Sequence, residues 1–439
     1  MLRFSVVRRT FMQSVRQMMS IPKFLLPLLL LGLIAACDGI LDVDDPGAIR
    51  SGDLTDPQME ELIVHGVLSE FQYAYNYMLL SASIFSDEVY TDHTNIDHRE
   101  FALLDFDDTN VLNNETFTAL QKARVTAEDA VERLTEFHGS DASSSLNIAI
   151  AHAYAGYAYV LLGEHFCQAP VDVGEPMSSD ELLALAVDHF EQAMGIAAGA
   201  TGTGAGGIDS QLVLNLAHLG AARASLQLGA MQEAIGYANE VDGDFEEYVY
   251  RSANSAREQN IIGVQWATTG QWLSVDPAFQ FLDDPRVRHM PEPAAGLNAR
   301  DIYVPFRPYS YEGWDPGDEA QTVTTSTHVR FASSLESRYI IAEATGPNEE
   351  TLEFVNERRA VGGQDAVSLS GDALMEELRK QRSRDFFMSV QRHGDLRRYL
   401  NLYGIDLFPT GTYPVTNEPY GSARCFIIPL SESSGNPNV

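Results

Sequence analysis

"LNIAIAHAYAGYAYVLLG" (residues 146–163) and "LVLNLAHLGAARASLQLG" (residues 212–229) are two versions of one pattern. Each is a run of small and apolar residues that closes on Leu-Gly. The second continues into "AMQEAIGYANEV" (230–241). An Ala-rich helix, a Leu-Gly stop and then Glu-Ala-Ile-x-x-Ala is the signature of a tetratricopeptide-like helical pair. Small residues let two antiparallel helices approach closely, and the glycine ends the first. The first copy reaches its second helix, "SDELLALAVDHFEQAMGIAA" (179–198), only after the insertion "EHFCQAPVDVGEPMS" (164–178).

Helical periodicity extends on both sides of this repeat. Residues 57–85 read as a long helix, with Pro57 in its first turn behind a capping Asp56. Leu62, Val64, Leu68, Phe71, Tyr75 and Leu79 form its apolar stripe. Residues 114–138 form another helix, with Phe117, Leu120, Ala127, Val131 and Leu134 on one side. A third pair is "LESRYIIAEAT" (335–345) followed by "EETLEFVNERRAVG" (349–362), and residues 372–403 supply two more helices. Residues 86–113 are polar and irregular. Residues 241–332 are rich in aromatics, Pro and Gly, with short strand-like pieces at Ile261–Trp266 and Ile302–Phe306. The expected fold is mostly α: a tetratricopeptide-like helical-repeat scaffold with an inserted loop-rich, short-stranded subdomain. Its body, 57–439, divides into a helical core (57–240 and 333–403), the irregular subdomain (241–332) and a C-terminal tail (404–439).

The first 36 residues are of another kind. Arg3, Arg8, Arg9, Arg16 and Lys23 precede an apolar run from Phe24 to Ala36, with no acidic residue. That is the layout of a secretory signal peptide. The run is shorter than the roughly 20 apolar residues a membrane-spanning helix needs. Its end, Leu33-Ile34-Ala35-Ala36-Cys37, looks like a bacterial lipobox, in which the cysteine is lipidated and becomes the first mature residue. The alternative is an ordinary signal with an incidental cysteine. Met12, Met18 and Met19 would each also leave a workable signal. Residues 37–56, acidic and containing Pro and Gly, are expected to run as an extended tether.

The formal net charge is −33. The five basic residues of the leader contribute +5, so residues 37–439 carry −38. Such a body is unsuited to nucleic acid, whose phosphates demand a positive surface. Beyond Cys37 there are two cysteines, Cys167 and Cys425. They could pair in an oxidising compartment, but they stand far apart in sequence, and two buried free thiols are the plainer expectation.

Few segments carry chemistry. "GTGAGG" (202–207) satisfies G-x-G-x-x-G, but it follows a helix instead of a strand, so it reads as a linker and not a dinucleotide site. "DHTNIDH" (92–98) offers Asp92, His93, Asp97 and His98 without zinc-site spacing. "DFDDTNVLNNET" (105–116) resembles a calcium loop in composition but lacks its sixth-position Gly and twelfth-position Glu. Bound calcium thus has no motif behind it, and no cofactor is expected. No nucleophile signature is present, so the chain does not read as an enzyme. Trp266, Trp272, Tyr303, Tyr309, Tyr311 and Trp314 gather in the irregular subdomain. They either pin loops over the core or form a binding surface, and rings flanked by Asp, Asn and Arg suit sugars. The basic stretch Arg379–Arg398 is expected to pair with acidic residues on neighbouring helices.

Four blocks of the C-terminal third complete the reading: "RYIIAEA" (338–344), "FVNERRAVGG" (354–363), "LMEELRKQRSRDFFMSVQRHGDLRRY" (374–399) and "CFIIPLSESSGNPN" (425–438). In that order they resemble the C-terminal blocks of the SusD/RagB family. "ILDVDDP" (40–46), "LQKARVTAEDAVERL" (120–134) and "GEHFCQAPVD" (163–172) extend the resemblance over nearly the whole mature chain. "RHGDLRRY" is shorter than the family's usual Gly-x-Arg-x-x-Asp-Leu, and 241–332 matches poorly. The resemblance implies an outer-membrane, surface-facing lipoprotein. It would sit over a SusC-like TonB-dependent barrel, capture an oligosaccharide or other nutrient, and hand it on. Carried onto this chain, the implied ligand residues are Asp92, Asn95, Arg99, Trp272, Tyr309, Tyr311 and Trp314. The competing reading is a lipid-anchored scaffold for envelope protein assembly with no small ligand.

Overall fold

The structure is a computed structural model that describes residues 56–91, 95–267, 273–280, 282–287 and 323–439. Cys37, the leader and the tether lie outside the described residues.

The body is mostly helical, and its helices follow from local signals. Asp56 accepts a hydrogen bond from the Gln58 amide (2.9 Å) and starts a single 3-10 turn, Pro57–Met59, that runs into α1 (Glu60–Phe85). Of the expected stripe, Val64, Phe71, Tyr75 and Leu79 are buried, whereas Leu62 faces solvent. The segment read as irregular, 86–113, holds a strand β1 (Val89–Thr91) and a short helix α2 (Ile96–Ala102). Its Asp/Asn richness is capping chemistry: Asn95 caps α2, and Asn110 caps α3 (Val111–His138).

The repeat then appears, except that only its second copy stops at Leu-Gly: the first helix runs through Gly163 to His165. The helix α4 (Leu146–His165) is followed by a hairpin of β2 (Gln168–Pro170) and β3 (Pro176–Ser178), which accounts for the insertion. A capping box, Ser178 with Glu181, opens α5 (Ser179–Ala197). Asp209 caps α6 (Ser210–Gln227), and α7 (Met231–Ala238) follows. By length and composition α4 could cross a membrane, but it is buried on nearly every side by α1, α3, α5 and α6. The small residues act as the pattern predicts. The ring of Phe190 on α5 lies against Gly156 of α4 and Gly220 of α6. A Cβ on Gly220 would stand 2.2 Å from the ring, and one on Gly156 2.8 Å.

Further along are β4 (Glu246–Val249), α8 (Ile261–Ala267), β5 (Leu273–Val275) and β6 (Val329–Ser333). The segment Ile261–Trp266, expected as a strand, is helical. Asn260 overrides its β-branched start, because its side-chain oxygen accepts from the Ile262 and Gly263 amides (3.0 and 3.1 Å) and caps the helix. The second expected strand, Ile302–Phe306, lies outside the described residues. The strands pair as three antiparallel ribbons, β1–β5, β2–β3 and β4–β6.

The C-terminal helices are α9 (Ser334–Thr345), α10 (Glu349–Val361), α11 (Gly371–Asp385), α12 (Gln391–Tyr403) and α13 (Leu430–Gly435). They enclose a lattice of buried ion pairs built from the basic stretch and its partners. Arg382 pairs with Asp395 (2.7 Å), Arg398 with Glu343 (2.8 Å) and Asp395 (2.9 Å), and Arg358 with Asp385 (2.7 Å). Burial raises carboxyl pKa values, but in Asp395 the Arg382 and Arg398 guanidiniums more than offset it and hold the group below its usual range. The tail folds back onto the core. Phe426 packs against Phe85, Phe101, Phe166 and His393.

The two cysteines are joined, contrary to the expectation of free thiols. Cys167 and Cys425 form a disulfide across 258 residues, with Cα atoms 5.1 Å apart. The tail brings them together: the Cys167 amide donates to Phe426 O and the Phe426 amide to His165 O, both at 2.8 Å.

Candidate functional site

Of the expected ligand residues, Asp92, Trp272, Tyr309, Tyr311 and Trp314 lie outside the described residues. Asn95 and Arg99 lie on α2. The Asn95 side chain accepts from the Asp97 amide (2.9 Å), so its oxygen serves as the helix cap. Arg99 is half-buried in the same helix. Among the described residues no carboxylate is within ion-pair distance of its guanidinium.

The β1–β5 ribbon joins two stretches whose neighbours in sequence are expected ligand residues. Its register pairs Val89 with Val275, Tyr90 with Ser274 and Thr91 with Leu273. Thr91 is the residue before Asp92, and Leu273 is the residue after Trp272. Two stretches separated by most of the helical scaffold therefore meet at one end of the ribbon. Tyr413 from the tail clamps that end. Its hydroxyl accepts from the Thr91 amide (2.8 Å) and donates to the Thr91 carbonyl (2.5 Å). The ring stands edge-on to Tyr90 and Tyr420. Sequence reading did not single out Tyr413; a Tyr beside a Pro in a tail carries no distinguishing signal.

The other end of the ribbon is a buried electrostatic junction. Glu88 is fully buried, and its Oε1 accepts from the Met388 amide (2.6 Å). Its carbonyl accepts from the Asp276 amide (2.8 Å). Burial pushes the Glu88 carboxyl up to about 8, so it carries its proton at neutral pH. Asp276 is raised to about 7, by burial and then by the nearby Asp87 charge. Arg392 holds Asp87 through two hydrogen bonds of 2.6 Å. Beside this pair opens a cavity of about 470 Å³, lined by Asp87, Arg379, Lys380, Arg392, Ile405 and Leu407 among others. Most of its charges are already paired, Arg392 with Asp87 and Lys380 with Glu376.

Among the described residues no three His, Cys, Asp or Glu side chains converge as a metal-binding group. The calcium-like stretch 105–116 has another use: Asp107 accepts from the Thr109 amide (2.9 Å), and the residues that follow form the cap and first turns of α3.

No family model and no curated protein sequence matches the chain. Solved structures do. A SusD homolog from Bacteroides thetaiotaomicron superposes over 89% of this chain and 98% of its own, at TM-score 0.66 and 14% identity. A SusD-like carbohydrate binding protein from Bacteroides vulgatus covers 87% and 97%, at TM-score 0.62 and 14% identity. Surface glycan-binding protein A from Bacteroides uniformis covers 88% and 99%, at TM-score 0.63 and 11% identity. This chain has the fold of the SusD superfamily.

Proposed function

We propose that the protein is a surface lipoprotein that captures an oligosaccharide and passes it, unaltered, to a SusC-like TonB-dependent barrel in the outer membrane. The observation that carries the reading is the ribbon register, which joins the stretch before Asp92 to the stretch after Trp272. The fold neighbours described as carbohydrate- or glycan-binding support the ligand class. The disulfide supports folding in an oxidising compartment, in keeping with the secretory leader and with lipidation at Cys37. An acyl chain contributes about 0.8 kcal/mol per buried CH₂, so several chains on one cysteine anchor a soluble body without a spanning helix.

The test uses the full chain in a host with an outer membrane. The parent should fractionate with the outer membrane and take up labelled palmitate, and Cys37→Ala should do neither. Purified in detergent, the parent should bind saccharides on a glycan array without cleaving them and should co-purify with a barrel from its native membrane. An unlabelled, freely soluble parent would refute the anchor. Failure to bind any arrayed saccharide would refute the capture role, and a barrel-free preparation would refute the hand-off.

A further inference from the structure

On the flank of α1, away from its buried stripe, a groove of about 350 Å³ runs between α1 and the 256–264 segment that leads into α8. That volume lies within the range of about 300–1,000 Å³ typical of small-molecule sites. Its helix wall is Tyr73, Asn76 and Tyr77. The opposite wall is Arg257, Gln259 and Ile261.

The aromatic side is built from two half-buried rings. Tyr73 and Tyr77, one turn apart, stand edge to face at 5.2 Å with their hydroxyls 3.4 Å apart. The polar side is fixed in place. The Arg257 guanidinium lies 4.1 Å over the Tyr73 ring and is tethered to Glu70 at 2.6 Å. Glu70 also holds Lys122 at 3.0 Å. One carboxylate thus serves two cations, and the five N–H donors of a guanidinium exceed what it can saturate. Asn76 locks the two walls together. Its amide donates to Gln259 O, and its oxygen accepts from the Ile261 amide, both at 2.9 Å. Arg251 reinforces the junction by donating to Gln72 O. A wall held this way loses little entropy on binding.

We propose that this groove is a saccharide-binding site of its own, taking a pyranose unit of a glycan. The Tyr rings would pack on the sugar's C–H face. The Arg257 guanidinium, held in place from behind by Glu70, would donate to the sugar's hydroxyls. Tyr73 and Tyr77 add neutral hydroxyls at the rim. None of these residues is among the ligand residues that the resemblance implies, although Arg257, Gln259 and Ile261 lie in the irregular subdomain. The proposal rests on the glycan-binding reading above, and its test separates the two.

The full chain, in detergent, is screened on an array of neutral hexose, pentose and uronic-acid oligosaccharides. The best-bound saccharide is then titrated calorimetrically against Tyr73→Ala, Tyr73→Phe, Arg257→Gln and Trp272→Ala. The expected result is about tenfold weaker binding for Tyr73→Ala and for Arg257→Gln, the scale of one lost aromatic or charged contact. Tyr73→Phe should retain most of the affinity, because the ring remains. Arg257 is 40% exposed, so Arg257→Gln carries the test alone if Tyr73→Ala melts early. Parent-like binding by Arg257→Gln and Tyr73→Ala, with loss in Trp272→Ala, overturns the groove and leaves the glycan reading standing. If the parent binds nothing on the array, both fall.

Discussion

Replacing Glu88 with Gln should abolish a specific part of the protein's pH dependence. The Glu88 carboxyl is fully buried, and burial, with the Asp87 charge beside it, raises it from 4.5 to about 8 against the pull of the Met388 amide and Arg392. Between those values the folded chain holds a proton that the unfolded chain has released. Stability from this group is therefore fully present below the unfolded value and is lost as pH rises toward about 8. At about 1.4 kcal/mol per unit, the span from 4.5 to about 8 amounts to roughly 5 kcal/mol. Glu88→Gln keeps the oxygen that accepts from Met388 and removes the titration. The assay is urea unfolding by circular dichroism from pH 5 to pH 9, with the slope checked for constancy. At pH 5 the two proteins should be nearly equal. By pH 9 the variant should be the more stable by about 3–5 kcal/mol. Asp276 and Glu247, each raised to about 7 mainly by burial, tilt both curves in the same direction and largely cancel in the difference. Parallel curves for the two proteins would refute the reasoning. The consequence reaches beyond stability, because Glu88 holds a strained turn. Met388 and Val390 have left-handed backbone (φ 57° and 72°), which costs each about 1–2 kcal/mol. The Glu88 carboxyl and the Tyr75 hydroxyl, which donates to Ser389 O at 2.8 Å, hold that turn against α1 and β1.

Three further outcomes follow from the packing. Gly220→Val drives a side chain into the Phe190 ring and should cost about 1–3 kcal/mol or more by thermal melting, whereas Gly236→Ala, with open space around it, should be neutral or slightly stabilising. Cys425→Ser opens the 258-residue loop and should cost up to about 5 kcal/mol; reductant should bring the parent to the same midpoint, and two free thiols in the untreated parent would refute the pairing. Asp395→Asn leaves Arg382 and Arg398 facing each other with one fewer carboxylate and should cost about 3–5 kcal/mol, a loss that Asp395→Glu should partly restore.

What was legible in the sequence was what local chemistry decides. Asp56, read as a cap, accepts a hydrogen bond from a backbone amide just inside its helix, and Ser178 and Asp209 do the same at theirs. The small residues of the repeat mark where helices approach, because an added Cβ at Gly156 or Gly220 has no room. Ile261–Trp266 reads as a strand because its β-branched start outweighs, on paper, the one residue that sets its conformation, Asn260. The disulfide and the β1–β5 ribbon were illegible for another reason. Both join stretches that meet only after the whole helical scaffold is in place, and neither Cys167 nor Val89–Thr91 has a local pattern that names its partner.

The same distinction explains why the fold reads more clearly than the ligand. The motifs of the C-terminal blocks are partners of one another. Glu343 of "RYIIAEA" meets Arg398 of "GDLRR", Arg358 of "VNERR" meets Asp385 of "RSRD", and Arg382 meets Asp395. A buried charge that loses its partner is costly, so each of these positions depends on another block, and the fold is written in their mutual pairing. Residues at a sugar-binding surface have no such obligation to each other. Tyr73, Tyr77 and Arg257 are half-exposed, Arg257 stands far in sequence from the two tyrosines, and its ion-pair partner is a commonplace Glu70. Replacing one of them should cost the fold little, so binding measurements, and not the fold, are what test the proposed groove.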